Sequence, residues 1–160
     1  MGRAESDPAL LRQRPLEGGS QGAAEEPHLI LVDSSVWIDF LSKSPAAGGR
    51  ELQRLITEGE PLALSGAVVT EVLQGVGRDA RQIELQLGKW DLLEPQGFGT
   101  YSNAAALLRL ARSRGVALTT IDALIATVAI EHTATLFTLD RDFSRIGSFT
   151  ELHLHTIQER

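Results

Sequence analysis

Cysteine is absent from the 160 residues, which removes disulfide scaffolds, thiolate zinc sites and cysteine nucleophiles from the available chemistry. A reducing cytoplasm fits that composition. No apolar run approaches the ~20 residues a membrane-spanning helix needs. The first residues, with Glu5 and Asp7 beside Arg3, lack the basic-then-apolar pattern of a secretory leader. A soluble cytoplasmic protein with no membrane partner is expected. Excess positive charge is missing too. Against 15 bases stand 21 acids, a formal charge of −6, which argues against a protein that wraps nucleic acid through bulk positive charge. A polynucleotide partner would have to be held locally or through metal ions. The chain has no internal repeat; its length is that of one ordinary domain, and 42% hydrophobic residues are enough to bury a core.

Residues 1–27 and 28–160 differ in kind. The first stretch is rich in Gly, Ala, Glu, Gln and Pro and offers only Leu10 with Leu11 as an apolar group. It is expected to be a flexible N-terminal extension, either a regulatory tail or the result of an upstream translation start. From His28 short apolar runs alternate with helical periodicity, the pattern of a parallel α/β sheet. Leu29 to Val32 is a continuous apolar run suited to a strand buried on both faces. Ser34 and Ser35 read as caps for a helix through Val36, Trp37 and Phe40. Helices are predicted at about 50–57, 66–76, 78–90, 101–114 and 121–131, with strands at 62–64, 91–93, 135–139 and 151–157.

Four acids stand out by position. Asp33 and Asp140 both follow predicted strands, at the edge where open parallel sheets place their ligand sites. Asp is also a preferred N-cap, so position alone leaves both readings open. Glu71 lies roughly 130° from the centre of the Val68, Val69, Val72, Leu73, Val76 stripe of its helix, so it faces water or a cleft rather than the core. Asp122 sits where the helix dipole favours a carboxylate, and roughly 110° from the Ile121, Leu124, Ile125, Val128 stripe, at its flank.

Their local text carries more than their separate positions. Val32-Asp33-Ser34-Ser35-Val36-Trp37-Ile38, Val69-Thr70-Glu71-Val72, Asp122-Ala123-Leu124-Ile125-Ala126 and Phe137-Thr138-Leu139-Asp140-Arg141-Asp142-Phe143 follow in that order. This set resembles the PIN-domain family and, within it, the VapC-type ribonuclease toxins of type II VapBC toxin-antitoxin systems, over about residues 29–157. The resemblance implies a three-layer α/β/α fold around a central parallel sheet. It also implies a catalytic acidic cluster of Asp33, Glu71, Asp122 and Asp140. Asp33, Asp122 and Asp140 are the implied metal ligands, with Glu71 and Asp142 as further candidates; Asp142 reads equally well as a helix-start acid. Ser34, Ser35 and Thr138 occupy the family's small hydroxyl positions as supporting groups.

Clustered carboxylates repel one another unless a cation sits among them, and an oxygen-only donor set favours Mg²⁺ or Mn²⁺ over zinc. His153 and His155 read as surface residues of the terminal strand and are left out of the site. The implied reaction is endonucleolytic hydrolysis of RNA phosphodiester bonds by metal-activated water. For RNA contact, Arg109 and Arg112 share a helix face at i, i+3, with Arg114 close by. The implied partners are a cognate VapB-type antitoxin, an RNA substrate and a second copy in a homodimer, with DNA reached only through the antitoxin.

Three other readings stand beside this one. A haloacid-dehalogenase-like phosphohydrolase also starts from an Asp after the first strand, but needs a second Asp where Ser35 stands. A receiver domain needs a Lys after a late strand, whereas the only lysines are Lys43 and Lys89. A PIN-like scaffold would bind RNA or protein without cutting.

Overall fold

The computed structural model describes residues 28–158. The expected extension, residues 1–27, lies outside the described residues. The elements run β1 (Ile30–Val32), α1 (Ser34–Phe40), α2 (Ala47–Glu58), β2 (Leu62–Ser65), α3 (Gly66–Gly75), α4 (Ala80–Leu87), β3 (Asp91–Leu93), α5 (Phe98–Ser113), α6 (Thr120–Glu131), β4 (Thr135–Phe137), α7 (Arg141–Gly147) and β5 (His153–Leu154). The five strands form one sheet in the order β3-β2-β1-β4-β5, and every pairing is parallel.

All three residues of β1 and all four of β2 are buried, as continuous apolar runs covered by helices on both faces require. Ile30 pairs with both Leu62 and Thr135, so β1 sits at the middle of the sheet with β2 and β4 on its flanks. Leu31, Val32, Leu64, Leu136 and Phe137 form the central layer of the core, each at most 1% exposed. Helix α6 has little amphipathic character because it is buried nearly all round: Ala123, Ile125, Ala126, Thr127, Val128 and Ala129 are all covered.

Several expected boundaries shift for identifiable reasons. Ser34 and Ser35 do not cap α1. Asp33 holds the N-cap position, its carbonyl accepting from the Val36 and Trp37 amides, which frees both serine hydroxyls for other partners. The helix expected over 78–90 is only Ala80–Leu87, ending where Gly88 follows. Strand β4 stops at Phe137, because the Thr138 hydroxyl takes the Asp140 amide into a turn. The last strand is just His153–Leu154.

Three helices end in the same hydrogen-bond pattern, in which the amide of the residue after a left-handed one donates to a carbonyl five residues back. Glu60 bonds to Leu55, Val116 to Ala111 and Ala134 to Ala129. The left-handed residue this motif needs is Gly59 (φ 74°) after α2 and Gly115 (φ 71°) after α5, but Thr133 (φ 52°) after α6. Among the described residues no helix is long and apolar enough to cross a membrane.

Candidate active site

Because all strands are parallel, their carboxyl ends share one edge, and the chain leaves β1 and β4 there through Asp33 and Asp140. Asp33 is only 4% exposed although charged. A buried carboxylate needs donors, and it finds two. The Ser35 hydroxyl donates to its Oδ2 at 2.6 Å and the Thr138 hydroxyl donates to the same oxygen at 2.9 Å. Each hydroxyl in turn accepts a backbone amide, Ser35 Oγ from Leu139 and Thr138 Oγ1 from Asp140, both at 3.1 Å. Two main-chain N–H groups of the turn after β4 are thereby relayed onto one carboxylate oxygen at the end of β1.

The other acids are held in the same one-sided way. Ser34 Oγ donates to Glu71 Oε2 at 2.7 Å across 37 residues of sequence, so the non-core face of α3 looks at the start of α1 and not at open water. Asp140 Oδ1 accepts the Asp142 amide at 2.9 Å as the N-cap of α7. Asp122 Oδ2 accepts from both the amide and the hydroxyl of Thr119, at 2.9 and 2.7 Å, closing a capping box at the start of α6. In each of the four, one oxygen is fixed by local donors, and the second receives no hydrogen bond among the described residues. For Asp33 that second oxygen reaches the surface, because the sole buried side-chain polar atom without a partner among the described residues is the Trp37 indole nitrogen.

Asp33, Ser35, Thr138 and Asp140 thus form one connected network, with Ser34 and Glu71 beside it. Asp122 is held separately by its cap, and Asp142 pairs with Arg145 at 3.3 Å on its own helix. As they stand, no three His, Asp or Glu side chains among the described residues are close enough to hold a metal ion together. The donor chemistry nevertheless fits a hard divalent cation: Asp33 presents one open, oriented carboxylate oxygen, and oxygen is the only donor type in the network.

The sequence reading missed two groups. Asp39 on α1 accepts the Ala46 and Gly49 amides at 2.8 and 2.6 Å and so caps α2 from outside it. Gly49 must be glycine there, since a Cβ would lie 2.8 Å from the Phe40 backbone. The second group corrects an expectation. His155 is not a surface residue: its side chain is 15% exposed, its ring centroid lies 4.7 Å from that of Phe137, and its Nε2 is 2.8 Å from Glu51 Oε1. Glu51, itself 5% exposed, also takes two bonds from the Arg54 guanidinium at 2.8 and 2.9 Å. Arg54 is the main reason that the Glu51 carboxyl is held down to about 2, with His155 adding to it against the opposing cost of burial. No sequence signal links positions 51 and 155, which meet only through the fold.

Comparison with known proteins agrees with this architecture. The family described as PIN domain matches residues 30–148. The VapC ribonuclease Mb1587 of Mycobacterium bovis and Ribonuclease VapC11 of Mycobacterium tuberculosis are each 29% identical over 128 residues, covering 78% of this chain and 96% of theirs. Among solved structures, VapBC-1 from nontypeable Haemophilus influenzae has a TM-score of 0.64 at 18% identity, covering 79% of this chain and 96% of that one. A toxin-antitoxin complex from Klebsiella pneumoniae has a TM-score of 0.62 at 22% identity, covering 82% and 99%. VapBC2 from Rickettsia felis bound to a promoter DNA fragment matches at 0.62 and 21%, covering 79% and 97%. These structural likenesses are likenesses of fold.

Proposed function

The chain belongs to the PIN domain family, and on that premise we propose that it is a metal-dependent endoribonuclease, the toxin of a toxin-antitoxin pair. The observation that carries this reading is Asp33: a buried carboxylate at the end of the central strand, pinned through one oxygen by Ser35 and Thr138 and open at the other. An N-cap alone does not account for it, since Asp33 makes no side-chain capping bond to α1. The ribonuclease names of relatives that match nearly end to end support the same conclusion.

The residues that would hold Mg²⁺ or Mn²⁺ are Asp33, Asp122 and Asp140 through their unbonded oxygens, with Glu71 and Asp142 as further ligands. Such a cation supplies Lewis acidity toward a phosphodiester and a more acidic water. The chain's own contribution is orientation. Ser35 and Thr138 keep Asp33 in one rotamer, Ser34 holds Glu71 toward the same edge, and the capping box fixes Asp122. Orientation of each acid by its own donors limits the rearrangement to bringing Asp122 and Asp140 toward Asp33 when the cation binds.

The partners proposed are an RNA substrate, a VapB-type antitoxin and a second copy of the chain, in the cytoplasm; DNA would be reached only through the antitoxin. The similarity to VapBC assemblies supports the antitoxin. The direct test is Asp33→Asn in the full chain, which keeps the size of the side chain and an acceptor for one hydroxyl. RNA cleavage in Mg²⁺ or Mn²⁺ is expected to fall to background while the circular dichroism spectrum and melting temperature stay close to those of the parent. A folded Asp33→Asn protein that cuts at the parental rate overturns the assignment.

A further inference from the structure

Beside the acidic edge lies a cavity of about 310 Å³, lined by Leu108 and Arg112 of α5 and by Gly115, Val116, Ala117 and Leu118 of the turn into α6. Its size is at the small end of ligand sites, which run from roughly 300 to 1,000 Å³. Its position is fixed by two connections to the candidate site. Leu118 is followed by Thr119, whose amide and hydroxyl bond the Asp122 carboxylate. From the other side, Arg145 donates to the Gly115 carbonyl at 3.1 Å and to Asp142 at 3.3 Å, and Asp142 is bonded through its amide to Asp140. The cavity wall is therefore tied to both acidic elements, the start of α6 and the start of α7.

The charge at this cavity runs against that of the chain, whose net charge is −6. Arg112 lines it and is exposed, and among the described residues no carboxylate pairs with it. Arg109, one turn earlier on the same helix, is equally exposed and unpaired among those residues. Arg114, by contrast, is engaged, its guanidinium 5.2 Å from the Phe149 ring centroid. An arginine without a carboxylate partner among the described residues, next to a recess lined mainly by apolar side chains, has the two halves of a nucleotide site, a cation for phosphate and a wall for a base.

We propose that this cavity is the subsite for a nucleotide flanking the bond that is cut, with Arg112 binding its phosphate and Leu108, Val116 and Leu118 lining its base. The proposal rests on the ribonuclease reading above and names where its substrate strand lies. Single-stranded RNA is favoured because an unpaired base can leave its stack and enter the recess.

The test measures binding of a single-stranded RNA oligonucleotide to full-length Asp33→Asn protein, over a range of salt concentrations. Adding Arg112→Ala is expected to raise Kd roughly tenfold or more, the worth of a charge-assisted hydrogen bond. It should also reduce the slope of log K against log salt by about 0.7, the loss of one phosphate contact to a single strand. Ala117→Leu, which fills the recess from an exposed position, is expected to raise Kd with the slope unchanged. Arg81→Ala, an arginine paired with Glu84 on α4, serves as the charge-matched control and should alter neither quantity. If Arg112→Ala and Ala117→Leu leave both Kd and slope unchanged, while the parent protein cuts RNA, the subsite is refuted and the ribonuclease reading stands. A parent protein that neither binds nor cuts RNA takes both down.

Discussion

Asp33 shows how single hydroxyl groups decide what a carboxylate can do. A buried anion with too few donors is costly, whereas one fully ringed by donors has no oxygen left for a ligand. Ser35 and Thr138 meet at one oxygen and leave the other open. Thr138 has the added task of receiving the Asp140 amide, so it ties the two strand-end acids together. Thr138→Val, nearly the same shape without the hydroxyl, is expected to lower kcat with little change in KM, while Thr138→Ser restores most of the rate. A valine variant with parental kcat would show that the hydroxyl does not orient the site.

Glu51 makes a separate claim at the same scale. Its carboxyl stands at about 2 in the folded chain against an ordinary 4.5. The folded state therefore binds its proton less readily than the unfolded one. The stabilisation is complete above about pH 4.5 and drains away as pH falls toward 2. Glu51→Gln is expected to lower stability at pH 7 by roughly 1–3 kcal/mol, the usual cost of losing hydrogen bonds to a buried charge. The gap between the two melting curves should narrow on acidification below pH 4.5. A gap that is constant from pH 7 to pH 3 would contradict the pairing with Arg54 and His155.

At the scale of elements, the sequence was readable wherever local chemistry decided the outcome. The doubly buried run of β1 and the phase of Glu71 on α3 both depend on neighbours within a turn or two, and the structure bears them out. The readings that failed depended on distant partners. The capping reading of the serines failed because nothing local reveals that their hydroxyls reach Glu71, 37 residues away, or share an Asp33 oxygen with Thr138, 103 residues from Ser35, whereas the family resemblance, which made them supporting groups, anticipated that use. His155 looked exposed on a short terminal strand until α2 brought Glu51 against it.

The end of α6 is also a local matter, and it supplies an element-scale prediction. A β-branched residue in the left-handed conformation is strained, and Thr133 holds the position that glycine takes after α2 and α5. Thr133→Gly is expected to relieve that strain and stabilise the protein by about 0.5–1 kcal/mol after the entropy cost of glycine. A drop in melting temperature for Thr133→Gly would mean that the threonine side chain contributes packing that outweighs its backbone strain.

For the whole molecule, the five-stranded parallel sheet explains why residues so far apart in sequence meet. Every strand delivers its following residue to the same edge, so positions 33 and 140 become neighbours of one network although 107 residues separate them. For an acidic chain, the proposed reading has RNA gripped by a few arginines and a cation rather than by a broad basic face. In the proposed reaction a water activated at this edge attacks phosphorus, with no part played by the RNA 2′-hydroxyl. The most direct measurement is digestion of matched unmodified and 2′-O-methyl RNA by the full chain in Mn²⁺, with mass analysis of the fragment ends. Both substrates are expected to yield 5′-phosphate and 3′-hydroxyl ends; 2′,3′-cyclic phosphate ends, or cleavage confined to the unmodified strand, would contradict hydrolysis by an activated water.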